Sequence, residues 1–267
     1  MSAHVDVHAK IIRGSCGAPL VHSLEHQLEL LSQRFDAIDK ALNAAVMARK
    51  ESAARNAVPA AAPKAAAENS EWKPCSKDTP EVARLRSLTK DLQLTTSKFA
   101  WVPSEYYDKP LAWRKQQLGA PSTQHLCKAI VLENTHCVND DCSDARNSRY
   151  YVAVFQYVQR FDADKVMRFI KGMNESVGKK KFNFRLAADG EAVTGFSHNA
   201  VVPFGLKTPM PIILSKEITN LAPAHFWLGG GHVDCKLRLD TEEFLEKFEP
   251  FVADITVPYS DEELASM

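Results

Sequence analysis

From residue 128 to residue 239 the apolar side chains come in short runs, not at helical spacing, and this restricts the chain to a sheet-rich fold. The runs at 129–132, 150–158, 182–186, 211–214, 225–228 and 236–239 read as strands, with Val152, Val154 and Tyr157 the apolar members of the second. Residues 133–149 between the first two are polar and read as an inserted loop. Residues 163–175 have a helical period, and Asp240 with Glu243 makes a capping-box-like start for a last helix through Phe248. Strands interspersed with few helices predict an α+β domain built on a single mixed β-sheet.

Upstream the pattern differs. Leu24, Leu28, Leu31, Phe35, Ile38, Leu42 and Ala45 alternate spacings of four and three, the seam of a coiled coil, with Ser23 as a plausible N-cap. So narrow a stripe is marginal as a lone helix and wants a partner, through residues 20–50: a second copy of the chain or a larger assembly. Residues 53–70 hold nine alanines together with Pro59 and Pro63 and read as a linker. The expected organisation is therefore a heptad region at 1–52, a linker at 53–70, the globular domain at 71–250 and an acidic tail at 251–267. Thr79 and Pro80 start a second helix with Val82, Leu85 and Leu92 on one face. The aromatic stretch 99–113, with Trp101, Tyr106, Tyr107 and Trp113, leads from it into the main domain.

A composition of 45% hydrophobic and 25% charged residues is that of a soluble globular protein, and no apolar run is long enough to span a bilayer. The N-terminus lacks a basic stretch followed by an apolar core, and the six cysteines have no framework spacing, so the expected location is the cytosol. Formal net charge is zero. Its distribution is uneven, however: eight basic residues (160, 165, 168, 171, 179, 180, 181 and 185) face three acids between 160 and 185. Such a stretch suits either a phosphate backbone or a solvated helix and turn.

Three features carry chemistry: Lys128 before the first strand, the loop from Thr194 and Gly195 to Pro203, Phe204 and Gly205, and the turn Gly229-Gly230-Gly231-His232. With the segments CKAIVLEN, YYVAVFQYV, KKFNFRLA, EAVTGFSHNAVVPFGL, PIILS and FWLGGGHVDCKLRL, the stretch from about Gln124 to Phe248 resembles the YbaK/ProX family of aminoacyl-tRNA editing domains. The resemblance implies a YbaK-like mixed-sheet domain without metal or cofactor. It also implies hydrolysis of the ester joining a wrongly attached amino acid to tRNA. In that family a lysine at the position of Lys128 holds the terminal nucleotide, and a GxxxP loop, here ending in Pro203 and Gly205, surrounds the scissile carbonyl with backbone N–H groups.

The resemblance makes Lys128 a catalytic candidate, and His232 joins it as an imidazole near the presumed site. The resemblance also makes Thr194, Gly195, His198, Asn199, Ala200, Pro203, Phe204, Gly205, Gly230 and Gly231 the candidates for substrate binding. The glycine expected four residues before the proline is Asn199, a residue that still tolerates left-handed geometry but whose side chain fills space near the aminoacyl group. His198 and His232 can each move a proton near neutral pH, or serve as structural hydrogen-bonders. The partners implied are aminoacyl-tRNA, of small amino acids and by resemblance tRNA(Pro), and a synthetase or multi-synthetase complex tethered through the heptad helix. Three other readings compete: a zinc site from His125, Cys127, His136, Cys137 and Cys142, whose spacing is not a usual paired arrangement; a catalytically decayed tRNA-binding or assembly subunit marked by Asn199; and a nucleotide or phosphate binder using the 229–231 glycine turn, which a strand and not a helix follows.

Overall fold

The computed structural model describes residues 72–265. The heptad helix and the alanine-rich linker lie outside the described residues. Helix α1 (Pro80–Asp91) starts as its sequence dictates: Thr79 Oγ1 accepts from Val82 N, Pro80 needs no amide partner, and Val82 and Leu85 point inward. Strand β1 (Lys98–Trp101), a 3-10 turn (Ser104–Asp108) and helix α2 (Leu111–Leu118) follow. Then come β2 (Cys127–Asn134), β3 (Tyr150–Gln156), β4 (Gln159–Phe161), α3 (Ala163–Gly172), β5 (Phe184–Leu186) and the short α4 (Gly190–Thr194). The chain continues through β6 (Ile212–Ser215), β7 (His225–Gly229), β8 (Cys235–Asp240), α5 (Thr241–Phe248), β9 (Phe251–Ala253), β10 (Thr256–Pro258) and α6 (Asp261–Ala265).

A five-stranded mixed sheet, in the order β5-β2-β3-β6-β9, forms the centre. β2 pairs antiparallel with β3 and β5, whereas β3–β6 and β6–β9 are parallel. The one mixed sheet expected from the sequence is joined by a separate antiparallel sheet, β1-β8-β7, and a two-stranded ribbon, β10-β4. A lone parallel bridge between Leu126, just before β2, and Trp227 of β7 links the two larger sheets. Residues 251–258, grouped from the sequence with an acidic tail, supply β9 and β10, because Phe251, Ala253 and Ile255 point into the domain while Val252 and Asp254 face outward.

β3 is buried on both faces, as parallel pairing requires. Val152 and Val154 face the main core, shared with α1, α5 and the three-stranded sheet; Tyr151 and Ala153 face a second core closed by Val166 and Ile170 of α3. A third cluster, around Tyr106, Leu118, Leu126 and Trp227, seats α2. Asp240 caps α5 through the amides of Glu242 and Glu243. The Glu243 carboxylate does not close the expected box; it accepts from the hydroxyls of Thr95 (2.9 Å) and Thr96 (2.7 Å). Among the described residues no helix is long and apolar enough to cross a membrane.

Candidate active site

β2 delivers Lys128 to the floor of an open cavity of about 530 Å³. One wall is the strand itself (Ala129, Ile130, Val131), a second is Leu186 to Ala188 beyond β5, and a third is the loop containing Phe196, Ser197, His198, Asn199 and Val201. Lys128 is half-buried, and its Nζ lies 5.0 Å from the Phe155 ring centre and 5.2 Å from that of Tyr157. Among the described residues it has no hydrogen-bond or ion-pair partner. Burial holds its pKa below the ordinary lysine value. A partly desolvated ammonium packed beside two rings, at the edge of an open cavity, can receive an anion there.

The loop is pinned at both ends. Thr194 Oγ1 donates to Gly190 O (2.7 Å) and accepts from Phe196 N (3.1 Å), the left-handed Gly195 turns the chain, and Lys207 N closes back on Thr194 O. From α1, Arg84 lies 5.3 Å over the Phe196 ring and donates to Gly205 O at 2.7 Å. Gly231 N donates to Ala200 O, and Gly229 and Gly230 let the turn before β8 lie flat against 200–201 and 235–236. Within this frame the amides of Ser197, His198, Asn199 and Val201 have no acceptor among the described residues, and all four residues line the cavity. Free amide donors on a fixed loop are the elements of an oxyanion site.

The sequence-derived candidates therefore separate. Lys128, His198 and Asn199 line one cavity, and Thr194, Gly195, Ala200, Gly230 and Gly231 shape its wall from behind. Pro203, Phe204 and Gly205 line a different, apolar cavity of about 570 Å³ together with Leu88, Leu92 and Phe248. Phe204 stacks on Phe248 there at 4.7 Å. His232 lies outside both cavities: its ring packs 5.4 Å from Trp101, and its Nδ1 accepts from Asp234 N. The zinc candidates are also dispersed, since His125 is held by Ser122 and the Pro223 carbonyl and Cys127 is buried. No group of three metal-type side chains converges among the described residues.

Other contributors were not evident in the sequence. Glu191, on α4, is the one carboxylate lining the Lys128 cavity. Tyr107 and Tyr157 line it too, and both border a neighbouring cavity of about 380 Å³ whose wall includes Lys109, Arg114 and again Lys128. The Arg114 guanidinium lies 5.4 Å from the Tyr107 ring centre and 5.7 Å from that of Tyr157. Burial pushes both phenols above their ordinary pKa, so they stay protonated. Tyr107 came within the aromatic stretch at 99–113, but nothing local marks it as a cavity residue.

No protein-family model matches this sequence, and no curated protein matches it. Solved structures share the fold. One, named "putative trans-editing enzyme for prolyl tRNA synthetase", is 19% identical with a TM-score of 0.54, covering 67% of this chain and 99% of its own. Another, from work grafting linear epitopes onto scaffold proteins, is 18% identical with a TM-score of 0.53, covering 68% of this chain and 100% of its own. At such identities the likeness is one of fold.

Proposed function

We propose that this protein is a trans-editing deacylase that hydrolyses the ester of mischarged aminoacyl-tRNA, carrying a small amino acid on tRNA(Pro). The observation that carries the reading is the pairing of an unpartnered ammonium, Lys128, with a loop of uncommitted amides along one cavity. Lys128 receives a phosphate of the terminal nucleotide. The amides at 197–201 receive the carbonyl oxygen as it becomes an oxyanion. Water adds to the carbonyl carbon, the bond to the ribose oxygen breaks, and that oxygen takes the proton, releasing the amino acid and a free tRNA end. Positioning and oxyanion stabilisation supply the catalysis, with no covalent intermediate.

The charges of the cavity fit such a substrate. Glu191 faces the α-ammonium, and the apolar walls of Ala129, Val131, Ala187 and Val201 leave the side chain little polar contact. Selection among small side chains then rests on size, which is worth only about 1 to 3 kcal/mol per methylene. The exposed Lys179, Lys180 and Lys181, which lead into β5 and the cavity rim, lie along the tRNA backbone. The heptad helix tethers the domain to a synthetase assembly and raises its effective concentration there.

The test is a panel of mischarged and correctly charged tRNAs, with wild type compared to Lys128→Ala. Release of one small amino acid by wild type, lost in the variant, is expected. Absence of hydrolysis above the buffer rate on every member overturns the enzyme reading in favour of a tRNA-binding or assembly subunit.

A further inference from the structure

Two buried cations have no task in the hydrolytic reading: Arg86, paired with Asp78, and Lys236, which forms no ion pair among the described residues. Lys236, on β8, is 3% exposed. Its Nζ donates to Tyr107 Oη at 2.8 Å and to Val233 O at 2.7 Å, and lies 4.4 Å from the Tyr107 ring centre and 5.1 Å from that of Tyr106. An ammonium placed there is tolerated only because carbonyl, hydroxyl and rings replace its water.

The arrangement fixes more than the lysine. The Tyr107 oxygen accepts from Lys236 and its hydroxyl donates to Asn199 O, 3.1 Å away, while the Tyr157 hydroxyl is a second hydrogen-bond partner of the same group. Asn199 sits at φ +63°, in the left-handed region that glycine occupies freely and other residues only with strain. Its neighbours are held otherwise: Ala200 N donates to Ser197 O, and Gly231 N to Ala200 O. The Asn199 carbonyl is held by Tyr107 alone among the described residues.

We propose that Lys236 is a positioning residue: through Tyr107 it braces the Asn199 carbonyl and so keeps the 196–201 loop in the left-handed turn that leaves its free amides on the cavity wall. The proposal rests on the reading of that loop as the oxyanion site. It also accounts for an asparagine at a turn that glycine would make unaided.

The brace has a pH signature. Burial pushes the Lys236 pKa down to about 7; Cys235 and Asp234 oppose this, and Arg114 adds to it. Tyr106, Tyr107, Cys127 and Tyr157, which border the same small space, are held protonated by burial. Lys236 is thus the group of this cluster that changes charge near neutrality, and its neutral amine is the weaker donor to Tyr107.

The experiment measures single-turnover hydrolysis and amide exchange in the full chain. Wild type, Lys236→Met, Tyr107→Phe and their double variant are compared, each with and without Asn199→Gly. With Asn199, each single substitution lowers the rate about ten-fold, the effect of one lost hydrogen bond, and the double variant is no worse. The wild-type advantage over Lys236→Met shrinks as pH rises through about 7, and KM is unchanged. With glycine at 199 the same substitutions have little effect. The Ala200 and Gly231 amides exchange faster in Lys236→Met and Tyr107→Phe, and this too is reversed by Asn199→Gly. Equal losses with and without Asn199→Gly, or wild-type rates and exchange in Lys236→Met, overturn the brace. If wild type hydrolyses nothing, the hydrolytic reading fails, and the exchange pattern still decides whether the brace exists.

Discussion

Gly229 and Val201 approach so closely that a methyl group on the Gly229 α-carbon would stand 2.7 Å from the Val201 carbonyl oxygen. Backbone cannot give way as the tip of a side chain can. Gly229→Ala is expected to cost about 1 to 3 kcal/mol and to displace the cavity loop, so activity falls by more than the change in folded population explains. Urea denaturation and single-turnover rates, measured on the same preparation, separate the two effects.

Lys128 offers the opposite balance. Removing this half-buried ammonium relieves a desolvation cost, while under the proposed function it also loses a charge-assisted contact to substrate worth about 1.5 to 3 kcal/mol. Lys128→Met should therefore lose about ten- to a hundred-fold in kcat/KM yet melt no lower than wild type. A fall in melting temperature with activity retained would make Lys128 structural.

Glu191 is exposed, so under the proposed function a contact with the substrate's α-ammonium would be screened and modest. Glu191→Gln should raise KM about three-fold for an aminoacyl ester with a free amino group and leave the N-acetylated ester unaffected. Equal effects on both esters would remove Glu191 from substrate recognition.

At the back of the main core Arg86 meets Asp78 at 2.7 Å, with side chains 6% and 3% exposed, and lies 4.3 Å from the Phe99 ring centre. Asp78→Ala leaves a buried guanidinium without its carboxylate, at a cost of about 3 to 5 kcal/mol. The denaturation midpoint should drop accordingly, and a near-neutral result would show that water reaches the pair.

Lys236 links stability to pH. Its folded pKa of about 7 lies below the ordinary lysine value, so between the two the unfolded chain binds the extra proton. Its contribution to stability therefore rises with pH above about 7 and is least favourable below it. Lys236→Met should be most favourable relative to wild type at pH 6, with the difference moving toward wild type by pH 9. Chemical denaturation across that range checks the sign.

Elements written by local rules were legible in the sequence. Thr79 and Pro80, and Asp240 before α5, announce helix starts through their own backbone geometry, and β2, β3 and β6 announce themselves as apolar runs. β1 and α2 do not: Phe99 is the one buried residue of β1, and Leu111 and Leu118 are the buried residues of α2, a full two turns apart. β9 and β10 were hidden because each is three residues long and their apolar members are separated by the exposed Val252 and by Asp254. Lys128 and the 198–199 loop are close in space as well as in the reading. The turn after Asn199, however, carries Pro203 to Gly205 to the opposite side, against α1 and α5, and no local pattern encodes that reversal. Lys236 and Tyr107 are 129 positions apart, and a lysine in the alternating strand Cys235–Asp240 reads as a water-facing residue and gives no hint of the phenol it will meet.

The loop joining β2 to β3 closes on itself, with Asn139 Nδ2 donating to Asn147 O and Arg149 N to Asp141 O. It leaves β2 at Asn134, about 20 Å along the strand from Lys128. Cys142 packs on the core and the Arg146 carbonyl accepts from Asn174, so the exposed residues 143–145 are the place to open the chain for circular permutation or to insert a fluorescent reporter. New ends there would leave Lys128 and the amide loop intact, giving a working sensor whose signal follows the sheet and not the chemistry.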